Sequence, residues 1–259
     1  MATLKELRKR IRTVGGVRKI TAVMRLVASA RLKKAQRRTE HLRRYRETLR
    51  KMAGALPGGI PADAPTGPTA VVILGAERGM CGAYDANLIR KVLKQWQQWE
   101  AEGIQPGICY VSGHKVAAAL RRDGLPAEPR LPDRNELAGY VRIVVFSTRA
   151  ESLARQRVME TVLPETPTVQ EPERWYVYEP YIDAIRCRIR PALMDVDLRL
   201  LAAEAAEAEL AARMIAMQGA TDNADELLHE LNLSYNRIRQ QLVTNELQDI
   251  SGTRTGLNK

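Results

Sequence analysis

The chain has 259 residues, 45% hydrophobic and 27% charged, with 41 Lys or Arg against 30 Asp or Glu and a net charge of +11. No apolar run approaches the ~20 residues needed to span a bilayer, and no apolar segment follows the charges that begin at Lys5, so a soluble, cytoplasmic chain without a signal peptide is expected. Cys81, Cys109 and Cys187 form no CxxC pair and are odd in number, which argues against a disulfide framework or zinc site and leaves three inert core thiols.

The first predicted element is a helix from Leu4 to about Leu56, free of proline and so roughly 75 Å long. Leu4, Leu7, Ile11 and Val14 follow 3-4-3 spacing; Val17, Ile20, Met24 and Val27 repeat it after a one-residue phase shift, and Leu32 and Ala35 carry a weaker stripe onward. Through Lys51 this arm holds eighteen Lys or Arg against three Glu, a balance of +15, so the remainder sums to −4. A basic helical arm suits nucleic acid, a membrane surface or an acidic protein surface. The arm offers only Tyr45 for base stacking and no Trp or Phe for a lipid interface, so an acidic protein partner is favoured.

Pro57 to Pro68 reads as a linker (57–68). An α/β domain follows over 69–180, with strands at Thr69–Gly75, Ile108–Ser112 and Val141–Phe146 and helices near Tyr84–Glu102 and Val116–Arg122. This alternation predicts a small parallel sheet, with Trp175–Tyr178 as an edge strand. The turn Gly75 to Gly82 sits where phosphate loops sit, between strand and helix. It lacks both the Lys-Ser/Thr ending and the GxGxxG spacing, so a tight turn is the better reading. His41, His114 and His229 are isolated, and Asp222, Asp225, Glu226 and Glu230 read as a solvated or partner-facing helix face rather than an acid–base pair. No active site is legible.

The last region, 181–259, is helical, with Pro191 expected to break or kink it. Its apolar seam steps 4, 3, 4, 3 through Leu210, Met214, Met217, Thr221, Ala224, Leu228, Leu231, Tyr235, Ile238 and Leu242, with Thr221 its only polar member. A 3.5-residue average keeps one narrow stripe against one neighbouring helix, the mark of a coiled coil. The expected fold is therefore α/β with long helices: an antiparallel coiled coil of the terminal helices (1–56 and the C-terminal region) with a small parallel α/β domain inserted between them.

Three segments then carry a family likeness. Arg10–Gln36 (RIRTVGGVRKITAVMRLVASARLKKAQ) resembles the opening signature of the F-type ATP synthase gamma subunit, and Ala211–Leu247 (AARMIAMQGATDNADELLHELNLSYNRIRQQLVTNEL) resembles its closing signature. Glu77–Leu88 (ERGMCGAYDANL) is similar to the family's arginine-glycine-cysteine-glycine loop. The resemblance implies a rotor shaft, turning inside a ring of alternating alpha and beta subunits and seated with an epsilon subunit on a membrane c-ring. It implies one copy per complex, no catalysis and no cofactor of its own, and a peripheral place on the cytoplasmic face of the bacterial plasma membrane. Matched position by position, Arg239 and Gln240 would hydrogen-bond a loop of a catalytic subunit. Thr244 and Glu246 lie a turn beyond, and Met24 with Arg25 would occupy the facing stretch of the first helix.

The chain departs from the family pattern at Gly15-Gly16, where a bend is expected at about 1 kcal/mol per glycine. It departs again at Ala83 and Asp85, in a somewhat short α/β domain, and in lacking the paired regulatory cysteines of the chloroplast version. Two other classes compete: a coiled-coil adaptor with a nucleic-acid-binding arm, and a nucleotide-binding enzyme using the Gly75–Gly82 turn.

Overall fold

The computed structural model describes residues 3–57, 68–104, 107–133, 136, 139–164, 177–179 and 181–256, side chains at 246 and 248–256 excepted. Its elements are α1 (Leu4–Gly54), β1 (Thr69–Leu74), α2 (Tyr84–Ala101), β2 (Cys109–Ser112), α3 (His114–Arg122), β3 (Ala127–Glu128), β4 (Arg142–Ala150), β5 (Gln156–Leu163) and α4 (Ile182–Gly256). They form two compact units, Met1–Val27 with Ile215–Lys259, and Ala28–Met214.

The second unit is built on a five-stranded sheet in the order β3-β2-β1-β4-β5. After Thr69 the run AVVIL is apolar throughout because β1, at the centre, is covered on both faces. Val71 and Ile73 join Leu88, Val92 and Trp96 of α2, Val116 and Leu120 of α3, and Phe146 of β4. Val72 and Leu74 pack with Tyr110, Ile143 and Val145 against Met194, Leu198 and Ala205 of α4. Each such fully buried aliphatic side chain contributes about 1.5–3 kcal/mol.

The sheet is mixed rather than parallel. β2, β1 and β4 run parallel, but β5 returns antiparallel on β4, from Ile143 opposite Leu163 to Ala150 opposite Gln156. QRVMETVL escapes a strand reading because it is an edge strand whose residues are mostly half-buried or exposed. The expected strand Trp175–Tyr178 lies mostly outside the described residues; Val177 and Tyr178 carry no strand, and the Tyr178 hydroxyl donates to the Ala55 carbonyl at 2.9 Å. Most of the 57–68 linker also lies outside them.

Pro191 does not end the final helix, which runs through it. Its ring deletes one helical hydrogen bond, a cost of about 3 kcal/mol. Packing offsets that cost: Ile189, Leu193 and Val196 of α4 bury against Leu49, Ala53 and Leu56. Within this unit the α1 positions that bury are Ala28, Leu32, Thr39, Leu49, Ala53 and Gly54. Arg46 is bound to Asp197, whose side chain is only 4% exposed, and Arg43 donates to Glu204 at 2.8 Å.

After β3 a loop closes on itself. Arg130 forks onto Glu136 with two bonds of 2.7 Å, reaches Glu128 at 3.0 Å, and lies 5.0 Å from the Tyr110 ring centroid. The Arg130 bonds, aided by the Asp133 N–H, pull the Glu136 carboxyl from 4.5 down to about 2. A depressed carboxyl contributes fully above its unfolded value and loses that contribution as pH falls through its folded one. NMR titration of the Glu136 carboxyl should therefore give a midpoint near 2, and a midpoint in the ordinary Glu range would contradict the fork.

Cys81 and Cys109 are buried, but Cys187 is exposed, which corrects the expectation of three core thiols. Burial pushes the Cys109 thiol up to about 12. Burial, with Asp85 adding to it, also raises Cys81. Iodoacetamide at about pH 8 should label Cys187 alone in the folded chain, because only a thiolate that reagent can reach reacts. Equal labelling of all three by peptide mass spectrometry would contradict this placement.

Candidate functional site

The first unit is a two-helix antiparallel pair. The Arg8 guanidinium donates to the Tyr235 hydroxyl at 3.0 Å, Arg18 pairs with Asp225, the Thr21 and Thr221 hydroxyls lie 2.8 Å apart, and Arg25 donates to the Gln218 side chain. The 17 residues from Arg8 up to Arg25 on α1 are matched by 17 from Tyr235 down to Gln218 on α4. Between residues 221 and 245 the positions that escape full exposure are Thr221, Ala224, Leu228, Leu231, Tyr235 and Ile238, members of the seam read from the sequence. Met217 and Ala224 are buried, Leu210 and Met214 are half-buried in the second unit, and Leu242 at the far end is 44% exposed.

On α1 the expected stripe fails at Val17, Ile20 and Val27, while Met24 and Ala35 are half-buried and Leu32 is buried. Val17, Ile20 and Val27 are 49%, 61% and 45% exposed, so there is no one-residue phase shift. The seam keeps its register by using Arg18, Thr21 and Arg25 instead, because α4 supplies Asp225, Thr221 and Gln218 opposite them. A hydrophobicity pattern cannot see a seam whose members are polar on both helices. Thr221 is thereby explained: whichever hydroxyl donates across, the other can donate to its own helix, at the Arg18 or the Met217 carbonyl. Gly15 and Gly16 sit inside α1 without ending it, and nothing lies within 4 Å of where their Cβ atoms would be. The displaced apolar residues form an exposed stripe, Val17, Ile20 and Val23, with Leu26 beside it.

Of the residues expected to touch partners, Arg239, Gln240 and Thr244 are exposed on adjoining turns of α4, and the Thr244 hydroxyl donates to the Gln240 carbonyl at 2.9 Å. The Glu246 side chain lies outside the described residues. Met24 and Arg25 are half-buried, and they do not face that cluster. Arg25 meets Gln218, some 21 residues and roughly 30 Å of helix from Arg239. The stretch of α1 opposite Arg239 is its first turn, since Arg8 already meets Tyr235.

In the Gly75–Gly82 turn the first three backbone amides already have partners. The Gly75 N–H donates to Ser112 O at 3.1 Å, the Ala76 N–H to Asp85 Oδ1 at 3.0 Å, and the Glu77 N–H to Glu209 Oε2 at 3.4 Å. Three amides that could cradle an anion are thus turned onto the protein's own acceptors, two of them carboxylates that would repel one. The glycines serve close packing: a Cβ on Gly75 would lie 2.6 Å from Val116, and one on Gly113 2.5 Å from the Ala76 carbonyl. Asp85, a departure from the family pattern, is one of these acceptors. Among the described residues no group of three or more His, Cys, Asp or Glu could hold a metal ion.

Sequence reasoning missed Arg213, which is 8% exposed and donates to the Arg78 carbonyl at 2.7 Å, the Gly79 carbonyl at 3.4 Å, and Glu209. Its only sequence signal is a charge set among alanines on the inward stripe of α4. No described helix is long and apolar enough to cross a membrane.

Comparison with known proteins accords with this geometry. The chain is 32% identical to the ATP synthase gamma chain of Bacteroides thetaiotaomicron, over 97% of its own length and 99% of that protein's. With the ATP synthase gamma chain of Parabacteroides distasonis it shares 30%, over 97% and 98%. Its fold matches a chain in the cryo-EM structure of the Euglena gracilis mitochondrial ATP synthase rotor, with a TM-score of 0.63 at 18% identity, covering 93% of this chain and 98% of that one. The ATP synthase family model matches residues 3–257, basic arm, sheet and closing helix together, and the chain belongs to the ATP synthase gamma-chain family.

Proposed function

We propose that this chain is the central rotor shaft of an F-type ATP synthase, non-catalytic itself, which carries rotation between a membrane c-ring and a ring of alpha and beta subunits. The observation that supports this most is the antiparallel pair with an interlocked seam and polar cross-ties at Arg18–Asp225, Thr21–Thr221 and Arg25–Gln218. Seam residues seated in holes of the facing helix resist sliding, so the pair turns as one body. The Lys and Arg of α1 that face outward can meet acidic loops of a surrounding ring. Such exposed contacts are individually worth about 1 kcal/mol or less, so they can be made and broken as the shaft turns.

Arg239 and Gln240, with Thr244 and Glu246, would contact a loop of a catalytic subunit, and Met24 with Arg25 would form a separate contact lower on the shaft. An epsilon subunit and the c-ring would bind the sheet-bearing unit, placing the complex peripherally on the cytoplasmic face of the bacterial plasma membrane. The nucleic-acid adaptor reading has no support beyond charge, and the nucleotide reading is set against by the amides already bonded in the Gly75–Gly82 turn.

Native mass spectrometry of the tagged chain, co-expressed with its organism's alpha and beta subunits, tests the proposal. One copy bound to a complete alpha–beta ring is expected. A ring that assembles while the chain stays free, or carries nucleic acid, would overturn it.

A further inference from the structure

We infer that Arg213, with Glu209 and Tyr84, is a clip that gears the α/β layer to the shaft helix α4, an assignment that rests on the rotor reading above. The clip has two jaws on one helix. At one, the Tyr84 hydroxyl, at the start of α2, donates to the Ala205 carbonyl of α4 at 3.0 Å. At the other, two turns on, Arg213 holds the Arg78 and Gly79 carbonyls while Glu209 accepts the Glu77 N–H and pairs with Arg213. Between them the contact is close on the α4 side: Ala76, Cys81 and the Tyr84 ring rest on Ala208 and Ala212.

That composition decides the mechanics. Met194 and Leu198 lock the sheet to α4 further back along the helix, but over Ala208 and Ala212 the face offers few knobs, so at this end local resistance to rotation and sliding falls on the directional bonds. Arg213 is suited to it, because a planar guanidinium spreads five N–H donors over a rigid fork and so reaches two carbonyls and a carboxylate at separate atoms, where a lysine gathers three donors on one nitrogen. The turn it grips is itself stiff: Met80 has φ of +65°, and the Ala76 amide is fixed by Asp85. Torque applied to the sheet would pass through β1 and this turn into α4. The clip is a positioning device for transmission and touches no nucleotide.

The test uses the complete ATP synthase reconstituted in vesicles with wild-type chain, Arg213→Met, Arg213→Lys and Tyr84→Phe. Arg213→Met should assemble, keep ATP hydrolysis within about twofold, and lose ATP-driven ion pumping by roughly three- to thirtyfold. Hydrogen exchange at the Glu77 amide should accelerate by about tenfold or more in the same complex. Arg213→Lys should fall between, and Tyr84→Phe should shift pumping per ATP in the same direction by less. Pumping that falls only in proportion to hydrolysis would reduce Arg213 to a structural residue and overturn the clip, as would unchanged pumping in Arg213→Met. If Arg213→Met fails to assemble, Tyr84→Phe decides, and unchanged pumping per ATP there overturns the clip. A wild-type chain that does not join the alpha–beta ring would instead sink the rotor reading.

Discussion

Replacing Arg239 with alanine is expected to lower ATP hydrolysis by the assembled alpha–beta–shaft complex by about tenfold while leaving assembly intact. The guanidinium is exposed on α4, and among the described residues no intrachain hydrogen bond or ion pair occupies it. If it bonds a loop of a catalytic subunit, as proposed, its loss removes a charge-assisted hydrogen bond worth about 1.5–3 kcal/mol. Each 1.4 kcal/mol withheld from a rate-limiting conformation is about a factor of ten. Assembly should survive because such an interface is spread over many contacts, of which one rim residue is a small part. Gln240→Ala should act in the same direction with a smaller effect, being neutral. Unchanged turnover in Arg239→Ala, measured with the complex verified by native mass spectrometry, would remove this contact from the proposal.

Arg46→Leu is expected to destabilise the chain by about 3–5 kcal/mol, because it takes a guanidinium away from a buried carboxylate. Asp197 is 4% exposed at its side chain and Arg46 only 25%. The double variant Arg46→Leu/Asp197→Leu should recover most of that loss, since two apolar residues of similar volume replace a pair whose desolvation had offset much of its attraction. Urea unfolding of wild type, both single variants and the double variant closes the cycle. Arg46→Leu as stable as wild type would show that the pair does not carry this stability.

The closing helix was largely legible because its seam is apolar and strictly spaced, so residues from Met217 to Ile238 could be read off with Thr221 as the lone anomaly. The opening helix was legible where it shares that chemistry, from Leu4 to Val14 and again at Leu32 and Ala35. Between these stretches, Val17 and Ile20 mimic a seam while the true one passes through Arg18 and Thr21, which need Asp225 and Thr221 opposite to make sense. The same limit hid Arg213 and Arg46: Asp197 lies far along the chain from Arg46, and besides Glu209 one turn away Arg213 is held by the distant Arg78 and Gly79 carbonyls. Strand β3, two residues long, and edge strand β5 carry too little apolar signal to be found. The α/β alternation was visible because β1, β2 and β4 are apolar on both faces, whereas the antiparallel turn of β5 was not. Of the site residues, Arg239, Gln240 and Thr244 came from family likeness alone, and exposure on α4 is compatible with that role without assigning it.

The most direct test of the rotor account is observation of single alpha–beta–shaft complexes fixed by their ring, with a probe attached through the exposed Cys187. The account predicts one-directional, stepwise rotation that starts with ATP and stops without it. A complex that hydrolyses ATP while the probe shows only undirected motion would contradict it.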